Sequence, residues 1–220
     1  MQQMVQIVIF DLDGTLLDTV GDLAASCNEV LNRRGLPTYD IETYRTFVGN
    51  GVLRLVERAI PEELRTPELI AEVRAEFVEY YSANINKNTH PYEGIKLLLR
   101  ELQYRDISIA VASNKFQEGT RKLIKIFFPE IRFAAVLGQR ENVPLKPSPT
   151  IIREIFQITS YTPDKAIFIG DSAIDILTAK AAGIKSIGVT WGFRPREELI
   201  ESGADYIADT TKRIIEILDL

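Results

Sequence analysis

Acidic residues stand where hydrophobic runs stop. Ile9-Phe10 runs into Asp11-Leu12-Asp13-Gly14-Thr15, Ala110-Val111-Ala112 into Ser113-Asn114-Lys115, and Phe168-Ile169 into Gly170-Asp171-Ser172, with Asp175 four residues beyond Asp171. Asp11 and Asp13 are two apart at the end of an extended run, a spacing that aims both side chains the same way. Asp171 supplies a third carboxylate and Asp175 a fourth. Carboxylates crowded together repel and raise one another's pKa, and a hard divalent cation relieves that repulsion. An all-oxygen donor set favours Mg²⁺, which keeps several waters and accepts phosphate oxygens. No cysteine or histidine stands near these motifs, which argues against zinc. An acidic cluster alone rejects phosphate. Lys146, in Pro144-Leu145-Lys146-Pro147, offsets this together with Mg²⁺, while Ser113 offers a hydroxyl and nearby backbone N–H groups add donors.

A pair of aspartates after one strand is more often a turn or a helix cap. The argument for a site rests on three such clusters at strand ends, because open α/β sheets bind ligands at the carboxyl ends of their strands. Val5–Phe10 is β-branched and almost wholly apolar, as a central parallel strand covered on both faces requires. Similar runs recur at Ile107–Val111, Ala134–Leu137, Ala166–Ile169 and Ser186–Val189, with Tyr206-Ile207-Ala208 as a short sixth. Between them lie helical patterns near Gly94–Tyr104, Glu118–Phe127, Thr150–Ile158 and Ala173–Ala182. Ser148-Pro149 reads as an N-cap followed by a first-turn proline, and Gly183 as a C-terminal cap. The alternation predicts an α/β fold with a parallel sheet.

The first two strands are far apart, and Leu17 to Asn88 carries helical signals throughout. Leu23, Cys27, Val30 and Leu31 share one face; Leu69, Ile70, Val73, Phe77, Tyr80 and Tyr81 share another, after a start at Thr66-Pro67. Residues 17–88 therefore read as an all-helical insert above one end of the sheet, and residues 1–16 and 89–220 as the core that carries it.

The 220 residues suffice for such a core plus insert, and 45% hydrophobic with 26% charged residues is ordinary globular composition. A net charge of −5 gives little attraction to nucleic-acid backbones or anionic membranes. Cys27, the only cysteine, permits no intramolecular disulfide, as fits a reducing cytoplasm. Met1–Phe10 lacks a basic region and reads as a strand, not a signal peptide. No run has the apolar length to span a bilayer. His90, before Pro91, reads as a surface linker residue, Cys27 as packing, and Arg121, Lys122 and Lys125 as a solvated helix face.

With Asp11-Leu12-Asp13-Gly14-Thr15-Leu16, Ser113-Asn114, Lys146 and Gly170-Asp171-Ser172 with Asp175, the chain resembles the haloacid dehalogenase superfamily of phosphotransferases over essentially its whole length. The resemblance implies a Rossmann-like core with a helical cap inserted after the first strand. It implies that Asp11 attacks phosphorus to form an aspartyl-phosphate, and that Asp13 protonates the leaving alcohol and then activates water. Ser113, with Asn114 beside it, and Lys146 would hold the phosphoryl oxygens. Mg²⁺ would sit on the Asp11 carboxylate, the Asp13 backbone carbonyl and the Asp171 carboxylate, supported by Asp175. Dehalogenase members lack an acid at the position of Asp13, since halide leaves without a proton, so its presence favours phosphoryl transfer.

Phe47–Ala59, Asp11–Leu23 and Val189-Thr190-Trp191-Gly192-Phe193 look like segments of phosphoglycolate phosphatases, which makes 2-phosphoglycolate the expected substrate. Ser148 departs from the histidine many relatives carry there. Pyrophosphate or sugar-phosphate hydrolysis is the alternative; a phosphomutase or a non-catalytic phosphate-binding regulator fits less well. Gly49 and Gly51 would let backbone approach the site closely, so that Asn50 or Arg54 meets the substrate's other end; the competing reading leaves Arg54 on a solvated face.

Overall fold

The computed structural model describes residues 5–219; the part of the amino-terminal strand reading that covers Met1–Met4 lies outside them. Six parallel strands form the main sheet: β1 (Ile7–Phe10), β4 (Ser108–Phe116), β5 (Phe133–Gln139), β6 (Ala166–Gly170), β7 (Lys185–Val189) and β8 (Tyr206–Ala208). Their order is β5-β4-β1-β6-β7-β8. β1 is fully buried at the centre, with Phe10 in register with Val111 on one side and Ile169 on the other. Its continuous apolar run follows from this position. Val8 and Phe10 enter one core, Ile7 and Ile9 the other, so both faces of the strand are covered and neither position tolerates a polar residue.

Helices cover the two faces: α5 (Ile95–Tyr104), α6 (Gln117–Phe127) and α10 (Thr211–Ile217) contribute to the first core, α7 (Thr150–Thr159) and α8 (Ala173–Ala182) to the second. A short α9 (Arg196–Glu201) follows β7. Gly183 caps α8 in the left-handed region at φ 72°. Pro149 is itself the N-cap of α7, one residue later than the Ser148 reading. Among the described residues, no helix is long and apolar enough to cross a membrane.

Between β1 and β4 lie α1 (Val20–Arg33), α2 (Ile41–Phe47), α3 (Gly51–Ala59) and α4 (Pro67–Asn84). α1 and α4 bury Leu23, Cys27, Val30, Leu31, Val73, Phe77 and Tyr81 against one another and their neighbours. The Thr66 side chain caps α4 by accepting from Leu69 N–H, with Pro67 in the first turn.

The segment from Leu17 to Asn88 is not wholly helical. Its entry, β2 (Leu17–Asp18), pairs antiparallel with β3 (His90–Pro91) on its exit, so the chain enters and leaves the helical block through a two-stranded ribbon. Asp22, 2% exposed, ties α1 to this ribbon. Its Oδ1 accepts from Asn88 N–H (2.8 Å) and Nδ2 (2.9 Å), and its Oδ2 from Thr89 N–H (2.9 Å) and Oγ1 (2.7 Å). One carboxylate thus satisfies four donors, two of them on the buried Thr89. Asp22→Ala is expected to cost roughly 3 kcal/mol of unfolding free energy in urea titrations, since the two buried Thr89 donors lose their acceptor; a loss under about 1 kcal/mol contradicts the clasp.

Candidate active site

The sheet order makes neighbours of the three strands whose ends are polar. β4, β1 and β6 are adjacent and parallel, so Ser113, Asp11 and Asp171 emerge side by side. One carboxylate oxygen each from Asp11, Asp171 and Asp175 lies within 4.8 Å of the others. Asp175 comes from the first turn of α8, where it forms a reciprocal cap with Ser172: its Oδ2 accepts from Ser172 N–H (3.1 Å) and Oγ (2.7 Å). Asp171 Oδ1 accepts from Thr15 Oγ1 (3.1 Å) and Oδ2 from Phe193 N–H (2.8 Å). Two glycines make this approach possible. A Cβ on Gly14 (φ 85°) would sit 2.3 Å from Asp171 Oδ2, and one on Gly192 2.3 Å from Asp171 Cβ.

Lys146 is 3% exposed, and its ammonium lies among these groups. Nζ donates to Ala112 O (2.9 Å) and Asp175 Oδ1 (2.7 Å) and lies 2.9 Å from Asp11 Oδ1. That last approach is an ion pair without hydrogen-bond alignment, so Asp11 Oδ1 is buried with no hydrogen-bond partner. Burial pushes the Asp11 carboxyl up to about 7; Lys146 opposes the shift and Asp175 adds to it. Burial, then Asp175 and Asp11, hold Asp171 well above the carboxylate range. For Lys146, burial works against the charge, but Asp11 and Asp175 outweigh it and raise its pKa. Two of the three carboxylates, Asp11 and Asp175, contact the one ammonium. The arrangement can hold a metal ion.

Asp13 does not join this cluster. Past Asp11 the chain turns, with Leu16 and Leu17 N–H both donating to Leu12 O. The predicted parallel aim of Asp11 and Asp13 assumed that the extended backbone continued; the turn sends Asp13 to other partners. Its Oδ1 accepts from Thr19 Oγ1 (2.7 Å), and Lys115 Nζ donates to Oδ1 (3.1 Å) and Oδ2 (3.2 Å). Asp11 and Asp13 nonetheless line one cavity, together with Ser113, Asn114 and Lys115. Its opposite wall belongs to the helical block: Leu23, Val48, Val52 and Leu55, with Gly49 and Gly51 between them. The cleft encloses about 440 Å³, part of it open to solvent.

The helical block is fastened over this edge. Gly49, at φ 116°, presents its carbonyl to Asn114 Nδ2 (3.1 Å), the close backbone approach expected of this glycine. Arg194, in the loop after β7, donates through Nη2 to Val48 O (2.7 Å) and through Nη1 to Arg45 O (2.5 Å). These carbonyls sit at the C-terminal end of α2, where a cation is favoured.

Several predicted site residues are used differently. The Asn114 side chain is committed: Nδ2 also donates to Lys146 O (3.2 Å) and Oδ1 accepts from Lys146 N–H (2.9 Å). It positions the lysine loop and leaves no side-chain donor for phosphate. Asn50 Oδ1 accepts from Arg58 Nη2 (2.9 Å), and Arg54, 59% exposed at its side chain, pairs with Glu57 one turn on. Neither lines the cavity, because α3 turns Val52 and Leu55 inward and so turns Arg54 out. Trp191 donates Nε1–H to Thr15 O (3.1 Å). His90 is exposed. Cys27 is buried, which pushes its thiol up to about 11. Lys115, Thr19 and Arg194 were missed as site residues. Lys115 alone carried a signal, as a lysine directly after Ser113-Asn114 at a strand end.

Comparison with known proteins gives this site a context. Residues 8–189 match the haloacid dehalogenase-like hydrolase family. The phosphoglycolate phosphatase of Vibrio vulnificus (strain CMCP6) is 32% identical over 222 residues, covering 99% of this chain and 97% of that protein. A solved structure from Lactobacillus delbrueckii subsp. bulgaricus, provisionally described as a phosphoglycolate phosphatase, aligns with a TM-score of 0.91 at 32% identity over 98% of each chain. CbbY from Rhodobacter sphaeroides, solved in complex with phosphate, aligns with a TM-score of 0.83 at 25% identity over 99% of this chain and 100% of that one. With its site built on the ends of β1, β4 and β6, the chain belongs to the haloacid dehalogenase-like hydrolase family.

Proposed function

We propose that the protein is a Mg²⁺-dependent phosphomonoester hydrolase that uses Asp11 as its nucleophile, with 2-phosphoglycolate as its substrate. The observation that carries this reading is the buried Asp11 carboxylate, held by Lys146 beside Asp171 and Asp175, with Asp13 lining the same cavity. Phosphoglycolate phosphatases related over nearly the full chain support the substrate.

Asp11, Asp171 and the Asp13 backbone carbonyl, supported by Asp175, would supply the hard oxygen donors that fit Mg²⁺, and the three carboxylates lie within 4.8 Å of one another. When bound, the ion supplies charge neutralisation for the phosphoryl group and the carboxylates around it. Lys146 holds Asp11 in position and favours its ionised form against the effect of burial. Asp11 attacks phosphorus, the P–O bond to the alcohol breaks, and the phosphoryl group passes to the carboxylate as an aspartyl-phosphate. Asp13 gives its proton to the leaving oxygen, then takes one from the water that attacks the intermediate and restores Asp11. Ser113 Oγ and the backbone N–H groups around Asn114 face the phosphoryl oxygens; catalysis is largely positioning and charge stabilisation. Residues 17–88 act as a cap over the core and present an apolar wall to the cleft.

Asp11→Asn is expected to lower kcat by about 10³-fold or more, since the amide is no nucleophile. Asp13→Asn should lower it by about 10²-fold or more while leaving the acyl phosphate able to form from activated esters. Both are read from inorganic phosphate release from phosphoglycolate; near-wild-type turnover in Asp11→Asn contradicts the assignment.

The raised Asp11 pKa has a consequence for stability. With a folded pKa of about 7 against 3.8 for the free group, the folded state keeps a proton that the unfolded chain has released. The stability this gives is fully present below the unfolded pKa and is lost as pH rises through about 7. Asp171 shifts in the same direction. The rise in melting temperature on adding MgCl₂ to EDTA-treated protein is therefore expected to be larger at about pH 8 than at about pH 5, because the ion replaces the lost proton. Asp11→Asn should flatten that difference; an equal shift at both pH values contradicts the cluster as the metal site.

A further inference from the structure

The cavity presents an imbalance that the reaction as described does not use. Lys146 lies below Asp11 with its ammonium spent on Ala112 O, Asp175 and Asp11. Lys115 is the cationic side chain that lines the cleft among the described residues. It is 4% exposed, and its Nζ lies over the Tyr81 ring of α4, 4.6 Å from the centroid, while donating to both oxygens of Asp13. The other arginines near the cleft are turned to different work: Arg54 to Glu57, Arg58 to Asn50 and the Phe47 carbonyl, Arg194 to the carbonyls of α2. The wall facing the leaving group is otherwise apolar or backbone.

We propose that Lys115 is the specificity-determining residue of the cleft: its ammonium binds a carboxylate carried on the carbon next to the phosphate ester oxygen. This rests on the phosphatase reading and names the class of alcohol that leaves. In –O–CH₂–COO⁻, ordinary bond lengths place the carboxylate oxygens about 3 Å from the ester oxygen. An ester oxygen that hydrogen-bonds Asp13 at about 2.7 Å therefore carries its carboxylate into the reach of an ammonium touching the same aspartate. Burial against Tyr81 strengthens the attraction, since the ammonium is desolvated before the ligand arrives. A neutral leaving group of the same size offers Lys115 nothing in exchange. Because Tyr81 lies on α4 and Lys115 on β4, the contact that recognises the carboxylate also joins the helical block to the core.

The test compares two substrates of equal size, phosphoglycolate and 2-hydroxyethyl phosphate, with wild-type enzyme, Lys115→Met and Lys115→Arg, in Mg²⁺. Wild type should prefer phosphoglycolate. Lys115→Met should lose about 30-fold or more of that kcat/KM preference, chiefly through KM for phosphoglycolate. Lys115→Arg, which keeps the charge, should retain most of it. Melting temperatures of both variants show whether the fold survives. If both esters fall by the same factor in Lys115→Met, the lysine only positions Asp13 and the proposal is wrong. If wild type shows no preference for the carboxylate ester, the proposal fails without any variant. If wild type releases phosphate from neither ester, the phosphoglycolate phosphatase reading on which the proposal rests fails, an outcome distinct from either.

Discussion

Three carboxylates held within 4.8 Å of one another where water is largely excluded is an arrangement that opposes folding. Two unit charges 4 Å apart interact by about 4 kcal/mol at the effective dielectric typical of protein surfaces, and here the repulsion is threefold. The surroundings of the site answer that constraint. Lys146 is buried between Asp11 and Asp175, the Asp175 carboxylate is tied to Ser172, and Thr15 and the Phe193 amide hold Asp171. Gly14 and Gly192 admit the chain where a side chain would strike Asp171. One ammonium does not balance three carboxylates. Burial first, and then the neighbouring carboxylates, raise the pKa values of Asp11 and Asp171, and the residual charge is the physical reason the cluster favours a divalent cation.

A second electrostatic unit lies beside the first and is kept distinct from it. The turn after Asp11 gives each aspartate of Asp11-Leu12-Asp13 its own lysine, Lys146 for one and Lys115 for the other. Asp11 is thereby placed in the charge-dense carboxylate cluster, and Asp13 in the part of the cleft that the helical block walls. The block meets the core through few polar fastenings: Gly49 with Asn114, Arg194 with the end of α2, and Lys115 against Tyr81. Its ribbon entrance, clasped by Asp22, sets where it sits.

Much of this was legible in the sequence because the relevant signals are local and repeated. Central strands announce themselves as uninterrupted apolar runs, and Gly183 and Thr66-Pro67 mark helix ends through backbone chemistry that tertiary context leaves alone. The convergence of Asp11, Ser113 and Asp171 followed from a rule about strand ends, which the adjacency of β4, β1 and β6 satisfies. The β2–β3 ribbon escaped because two-residue strands have no periodicity. Asn114 and Arg54 were misjudged because proximity in sequence to a site does not tell where a polar side chain finds its partner. Asn114 is captured by the Lys146 loop, and Arg54 is turned outward by the apolar face of its own helix. Lys115 stands in the polar cluster Ser113-Asn114-Lys115, but its sequence position does not reveal its packing against Tyr81, more than thirty residues away.

The proposed reaction requires Asp11 to form a covalent bond to phosphorus. The most direct measurement is rapid acid quenching of the enzyme during turnover of phosphoglycolate in Mg²⁺, followed by peptide mass spectrometry. A phosphoryl group on the peptide containing Asp11, removed by mild base or hydroxylamine and located on Asp11 by fragmentation, is the result predicted. Phosphate release in the same reaction with no phosphoryl group on the chain at any time point, or with it on Asp13, would contradict the account.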